Sequence, residues 1–143
     1  MAAIAEVPVS TAKSKFSDYF HQASKGLEVI TRNQTSNEIV SLLSTPMVSA
    51  MLDNMKFTIE ETVDEELDNV VTIAVNELPV YGEGKSREEA IVDLIKTALE
   101  YTEIYLDQID LYSRVDSPMK QAYMLKLIRC GMDETALRKA LGL

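Results

Sequence analysis

Val70-Val-Thr-Ile-Ala-Val75, then Glu77-Leu-Pro-Val-Tyr-Gly-Glu-Gly84, then Ser86-Arg-Glu-Glu89 and onward to Leu106 is the stretch on which the fold turns. Its first six residues are mostly β-branched and read as a buried strand. From Ala90 the pattern changes. Ala90, Ile91, Leu94, Ile95, Ala98, Thr102, Tyr105 and Leu106 recur at helical spacing and form one stripe over about 20 residues. Ser86 and Glu89 have the spacing of a capping box, in which a hydroxyl and a carboxylate satisfy N–H groups that the first helical turn leaves without partners. Between strand and helix, residues 77–84 make a connecting segment with room for a short strand. Gly82 and Gly84 are expected to allow a tight turn into the helix. A strand feeding a long one-faced helix makes the class α+β.

Upstream, Phe57-Thr-Ile-Glu-Glu-Thr-Val63 alternates like a half-exposed strand, and Asp64-Glu-Glu-Leu-Asp-Asn69 is an acidic turn. Downstream, Ser117-Pro118 opens a helix with Ala122, Leu125, Ile128 and Cys130 on its apolar side. Gly131 stops it, and Asp133 to Leu141 form a last short helix. The N-terminal third has its own pattern. Ile4 to Val9 read as an edge strand, since Pro8 cannot donate to a ladder. Ser10 or Thr11 caps a helix of about 15 residues with Ala12, Phe16, Tyr19, Phe20 and Ala23 at apolar spacing, closed by Gly26. Leu27 to Arg32 and Glu38 to Leu43 are β-rich runs around the polar turn Asn33 to Asn37. A short helix then carries Met47, Met51, Leu52 and Met55. The chain therefore divides into a strand–helix–hairpin module (residues 1–55), an α+β domain (56–114) and a C-terminal helical segment (115–143).

Composition narrows the function. At 46% hydrophobic and 26% charged the chain is ordinary for a folded protein, which excludes wholesale disorder. No apolar run is long enough to cross a bilayer, and Met1 to Glu6 lack the features of a leader, so a cytoplasmic location and no membrane partner are expected. A lone Cys130 has no second thiol for a disulfide or a cysteine-based metal site, and reads as a small buried residue. Residues 1–50 hold Lys13, Lys15, Lys25 and Arg32 against Glu6, Asp18, Glu28 and Glu38. Residues 51–143 hold ten basic against nineteen acidic residues, so the whole net charge of −9 lies there. Only the N-terminal third suits phosphate, and the acidic remainder better matches a basic protein.

Candidate chemistry is sparse. Gly82-Glu-Gly-Lys-Ser86 resembles the tail of a phosphate loop, but Pro79 stands where its first glycine is needed. The acidic run from Glu60 to Asp68 lacks calcium-loop spacing and a nearby histidine. His21 has no nucleophile beside it in sequence and reads as a surface or interface residue. No nucleophile–base–oxyanion set can be assembled, so no enzyme, cofactor or metal is expected. The one catalytic alternative uses Glu60, Glu61 and Glu77 with a divalent metal. Lys13 and Lys15 lie in the first turns of a helix beside the hydroxyls of Ser10, Thr11 and Ser14, and Arg32 and Asn33 end a strand. That set suits phosphate contact.

Ile4, Val9-Ser-Thr-Ala-Lys13, Phe16, Leu27-Glu-Val-Ile-Thr-Arg-Asn33 and Ile39-Val-Ser-Leu-Leu43 together resemble the Phd/YefM antitoxins over about residues 3–55. Lys13 stands where that family usually has arginine, and Leu27-Glu28 where it has Glu-Pro. Phe57-Thr-Ile, Val70 to Pro79 and Gly84 to Ala90 with the long helix are similar to the HicB antitoxin domain, over about residues 56–110, with Val80-Tyr81 in place of Gly-Cys. The first resemblance implies a homodimer contacting operator DNA, here through Ser10, Thr11, Lys13, Lys15, Arg32 and Asn33. The second implies a non-catalytic layer that covers a protein toxin, a basic ribonuclease being the best match to the acidic charge. The expectation is a type II antitoxin and autorepressor. Its alternative is a dimerising protein-interaction module without DNA binding.

Overall fold

A computed structural model describes residues 4–143; Met1 to Ala3, which begin the stretch read as lacking a leader, lie outside the described residues. The class is α+β, with seven helices and two three-stranded sheets among the described residues. Two compact units divide the chain, Met1–Asn54 and Met55–Leu143.

The first unit runs β1 (Ala5–Pro8), α1 (Val9–Ser14), α2 (Phe16–Ser24), β2 (Val29–Arg32), β3 (Ile39–Leu42) and α3 (Thr45–Asn54). β1 lies parallel to β2, with Pro8 opposite Arg32, and β3 lies antiparallel to β2. Parallel neighbours need a crossover, and α1 with α2 supplies it. The single helix expected from the apolar spacing is two, because Lys15 leaves helical geometry at φ −121° and ψ 30°. α1 starts at Val9, directly after Pro8, with no side-chain cap, so Ser10 and Thr11 lie inside its first turn rather than ahead of it. The β2–β3 turn is held by the Asn33 carboxamide oxygen, which accepts the N–H groups of Thr35 (3.0 Å) and Ser36 (3.4 Å).

Among the described residues of this unit, only Ala12, Ala23, Val29 and Leu52 are buried. Phe16 and Phe20, which the spacing places inward with Ala12 and Ala23, are 52% and 56% exposed. Strands of four residues cover little helix surface, and the two alanines turn toward the sheet while the rings stay outside, 6.0 Å apart.

The second unit begins with β4 (Ile59–Asp64), β5 (Val70–Val75) and β6 (Val80–Gly84), an antiparallel sheet in the order β4-β5-β6. α4 (Arg87–Asp107), α5 (Ile109–Val115), α6 (Pro118–Ile128) and α7 (Glu134–Ala140) follow. The α4 stripe is buried as its spacing demands, from Ala90 to Tyr105, and only Leu106 turns out to solvent. Ser86 Oγ accepts the Glu89 N–H at 3.2 Å, but the Glu89 carboxylate reaches the N–H of Lys85, one residue short of the standard partner, at 2.8 Å.

Gly82 and Gly84 lie in a strand, not in a tight turn. A Cβ on Gly82 would run into the Ala90 carbonyl oxygen and the Leu94 backbone, and one on Gly84 into Glu89 and Ala90. Their missing side chains let α4 sit directly on β6. Of the residues expected on the apolar side of α6, Ile128 and Cys130 pack on the core, but Met124 and Leu127 are the residues fully buried and Leu125 is exposed. Asp133 caps α7 by accepting the Ala136 N–H at 2.8 Å. Ile73, Val75, Leu78 and Val80 of the sheet region join α4, Met124, Leu127, Leu137 and Leu141 in one core, so residues beyond 115 help complete it.

Candidate nucleic acid and partner interfaces

The parallel pairing of β1 and β2 decides what the first unit can present. It sets the start of α1 beside the end of β2, bringing together residues that stand far apart in sequence. Ser10, Arg32 and Asn33 line one shallow hollow of about 300 Å³ with Pro8, Val9, Gln34 and Thr35. Thr11, Lys13 and Lys15 do not line it. Thr11 is half-buried, and its carbonyl accepts the Ser14 hydroxyl and the Lys15 N–H, both at 3.1 Å. Lys13 is exposed on α1, and Lys15 is exposed at the break between α1 and α2. Gln34 and Thr35 were missed in sequence; their signal was position alone, directly after Arg32-Asn33.

Two members of the set already have partners. Arg32 faces Glu6 at 3.7 Å, with both side chains well exposed, a pairing that solvent screens heavily. The Asn33 carboxamide oxygen is held by the turn. His21 is exposed on α2, edge-on to Phe20 with ring centroids 5.9 Å apart.

In the second unit each carboxylate of the catalytic alternative has a structural bond. Glu77 accepts the Thr58 N–H at 2.7 and 3.0 Å, Glu60 accepts from the Asn76 side chain, and Glu61 pairs with Arg87 at 3.1 Å. No three His, Cys, Asp or Glu among the described residues group as metal ligands. Burial pushes the Cys130 thiol up, which disfavours the nucleophilic thiolate.

Where α4, α5 and α6 meet, Lys120 pairs with Asp116 at 3.1 Å beneath the rings of Tyr101 and Tyr112. Burial opposes the charge of Lys120, but the Tyr101 hydroxyl and the Asp116 carboxylate together hold the ammonium above the usual lysine range. Burial and the same carboxylate raise Tyr105, which stacks on Tyr112 at 4.9 Å. No helix of the described residues is long and apolar enough to cross a membrane.

A profile of the PHD-like family, described as the antitoxin of RelE/RelB toxin–antitoxin systems, matches residues 1–140. The chain belongs to this family. It is an antitoxin of a toxin–antitoxin system, and a toxin is its partner. A crystal structure from Syntrophomonas wolfei subsp. wolfei, described as an antitoxin part of an inferred toxin/antitoxin system, has the same fold. Its TM-score is 0.66 and its identity 16%, over 97% of this chain and 95% of that one. No curated protein matches the chain.

Proposed function

We propose that the chain is a non-catalytic autorepressor: a homodimer, of Phd/YefM character in its first unit, that binds operator DNA and neutralises its toxin through a HicB-like second unit. The observation that carries this reading is the unfinished first unit. Four small or medium apolar residues are too little core for about 50 residues, while Phe16, Phe20, Ile39, Val40 and Met51 stay exposed. A second copy covering those side chains would complete the core and double the phosphate-facing set of Ser10, Thr11, Lys13, Lys15, Arg32 and Asn33. The first unit carries four basic and five acidic residues, so little charge opposes self-association there. The second unit carries ten basic and eighteen acidic residues, which favours a basic toxin, with a ribonuclease as the class proposed.

A gel shift against the DNA upstream of its own gene tests the assignment. Lys13→Glu with Arg32→Glu should weaken binding by about 100-fold or more, because each reversed charge removes a phosphate contact and adds repulsion. Unchanged binding by the double variant removes this contact surface. The Arg32–Glu6 pair and the engaged Asn33 favour the second reading, a dimerising interaction module without DNA binding. No shift with the wild-type dimer would select it.

A further inference from the structure

α4 outruns the sheet that it covers, and its last turns with α5 leave apolar side chains without a partner. Gln108 interrupts the helix, yet its N–H still bonds the Ile104 carbonyl and its own carbonyl still accepts from Tyr112, at 3.0 and 3.1 Å. The break is of the kind that Lys15 makes between α1 and α2, and α4 and α5 are two helices joined at Gln108. Tyr101, Tyr105 and Tyr112 mark their inward side, where they pack against each other. Ile104 near the end of α4, and Leu111 with Val115 four residues apart on one face of α5, are 49%, 45% and 66% exposed. The same segment carries Glu100, Glu103, Asp107 and Asp110, all exposed, with Arg114 as the one cation between residues 100 and 115.

We propose that this face, Ile104, Leu111 and Val115 with Glu100 and Asp107, is where the second unit seats its toxin, on a toxin surface that offers an apolar patch rimmed by lysine and arginine. The assignment rests on the reading of the second unit as the toxin-binding part. Exposed β-branched and leucine side chains where α4 meets α5 supply the affinity of an interface, and the charges beside them select the partner. Charge also decides against a second copy. Self-pairing would set two rows of four carboxylates against each other, whereas a basic rim would neutralise them. The first unit's near-neutral surface has no such bar. The chain thus separates two associations by charge: self through the first unit, the toxin through this face.

The probe is the protein encoded by the reading frame adjoining this gene, purified and titrated by calorimetry against the full-length chain. Leu111→Asp with Val115→Asp should weaken binding by about 30-fold or more, while far-UV circular dichroism and the sedimentation coefficient of the free chain stay unchanged. Glu100→Gln with Asp107→Asn should leave the fold intact and flatten the salt dependence of association. Wild-type binding that both double variants retain in full overturns the face while leaving the toxin-binding reading in place. Failure of the wild-type chain itself to bind overturns that reading and the face with it. A change in the self-association of the Leu111, Val115 variant overturns the choice of toxin over second copy.

Discussion

The two units solve the same problem with unequal means. The second buries fourteen apolar residues between a three-stranded sheet and its helices; the first, built on strands of four residues, buries four of its described residues. Local signals are sound in both. The difference lies in how much helix surface each sheet can cover. β6 offers α4 a strip cleared of side chains at Gly82 and Gly84, so strand and helix backbones touch, and the stripe from Ala90 to Ala98 is sealed. α2 has no such strip, and its rings remain outside. The phenylalanines that the first unit leaves in water are what the proposed second copy would cover, whereas the second unit seals its own core.

The largest test of this contrast is Gly82→Ala. A methyl group there meets α4 backbone, which cannot move aside cheaply, so the second unit should lose about 3 kcal/mol or more. Five of the six tyrosines belong to that unit, so urea unfolding followed by tyrosine fluorescence reads it almost alone. A change within error would mean that the close approach of β6 and α4 is not what completes the core. Next in size, Phe16→Asp with Phe20→Asp should weaken self-association by about 2 kcal/mol, near 30-fold, in sedimentation equilibrium. The first unit should also melt at lower temperature on dilution, while the second keeps its midpoint. A variant that associates as wild type removes these rings from the interface and blurs the contrast.

The smallest effect is expected at high pH. Lys120 and Tyr105 both hold their protons more tightly folded than unfolded. Their contribution is therefore complete below their unfolded pKa values and fades as pH rises from about 10 through the folded ones. Denaturant midpoints of the second unit should decline over that range. Lys120→Arg, whose guanidinium keeps its charge there, should make the decline shallower. An identical slope would show that the Lys120–Asp116 pair carries no differential proton affinity.

Several features were legible before any coordinates. Ser86 and Glu89 announce the start of α4, and the acidic residues from Asp64 to Asn69 mark the β4–β5 turn, because these signals depend on a few neighbouring residues. On α6 and just past its end, Ile128 and Cys130 pack against the core as their spacing suggests, but Leu125 does not, for a physical reason. Ala122, Tyr123, Met124, Leu125, Leu127 and Ile128 crowd nearly every position, so periodicity alone selects no side. Only packing against α4 picks Met124 and Leu127. The glycines before α4 were visible, but their use was not: a glycine for a turn and a glycine for close approach look alike in sequence. In the candidate site, the separate members were readable as hydroxyls, lysines and a strand-end arginine. Their sorting was not, since the gathering of Ser10 with Arg32 and Asn33, apart from Lys13 and Lys15, depends on β1 lying parallel to β2.

Sequence by itself determined the α+β class, the order of most elements and the concentration of acidic charge after residue 50, because propensity, capping and net charge are sums over local residues. Tertiary structure alone decided which apolar stripes are sealed and which are left open. Burial depends on the area that a neighbouring element can cover, and no residue carries that information about itself. Phe16 and Phe20 on one unit, and Leu106 on the other, sit on apolar stripes in the sequence and are surface in the fold.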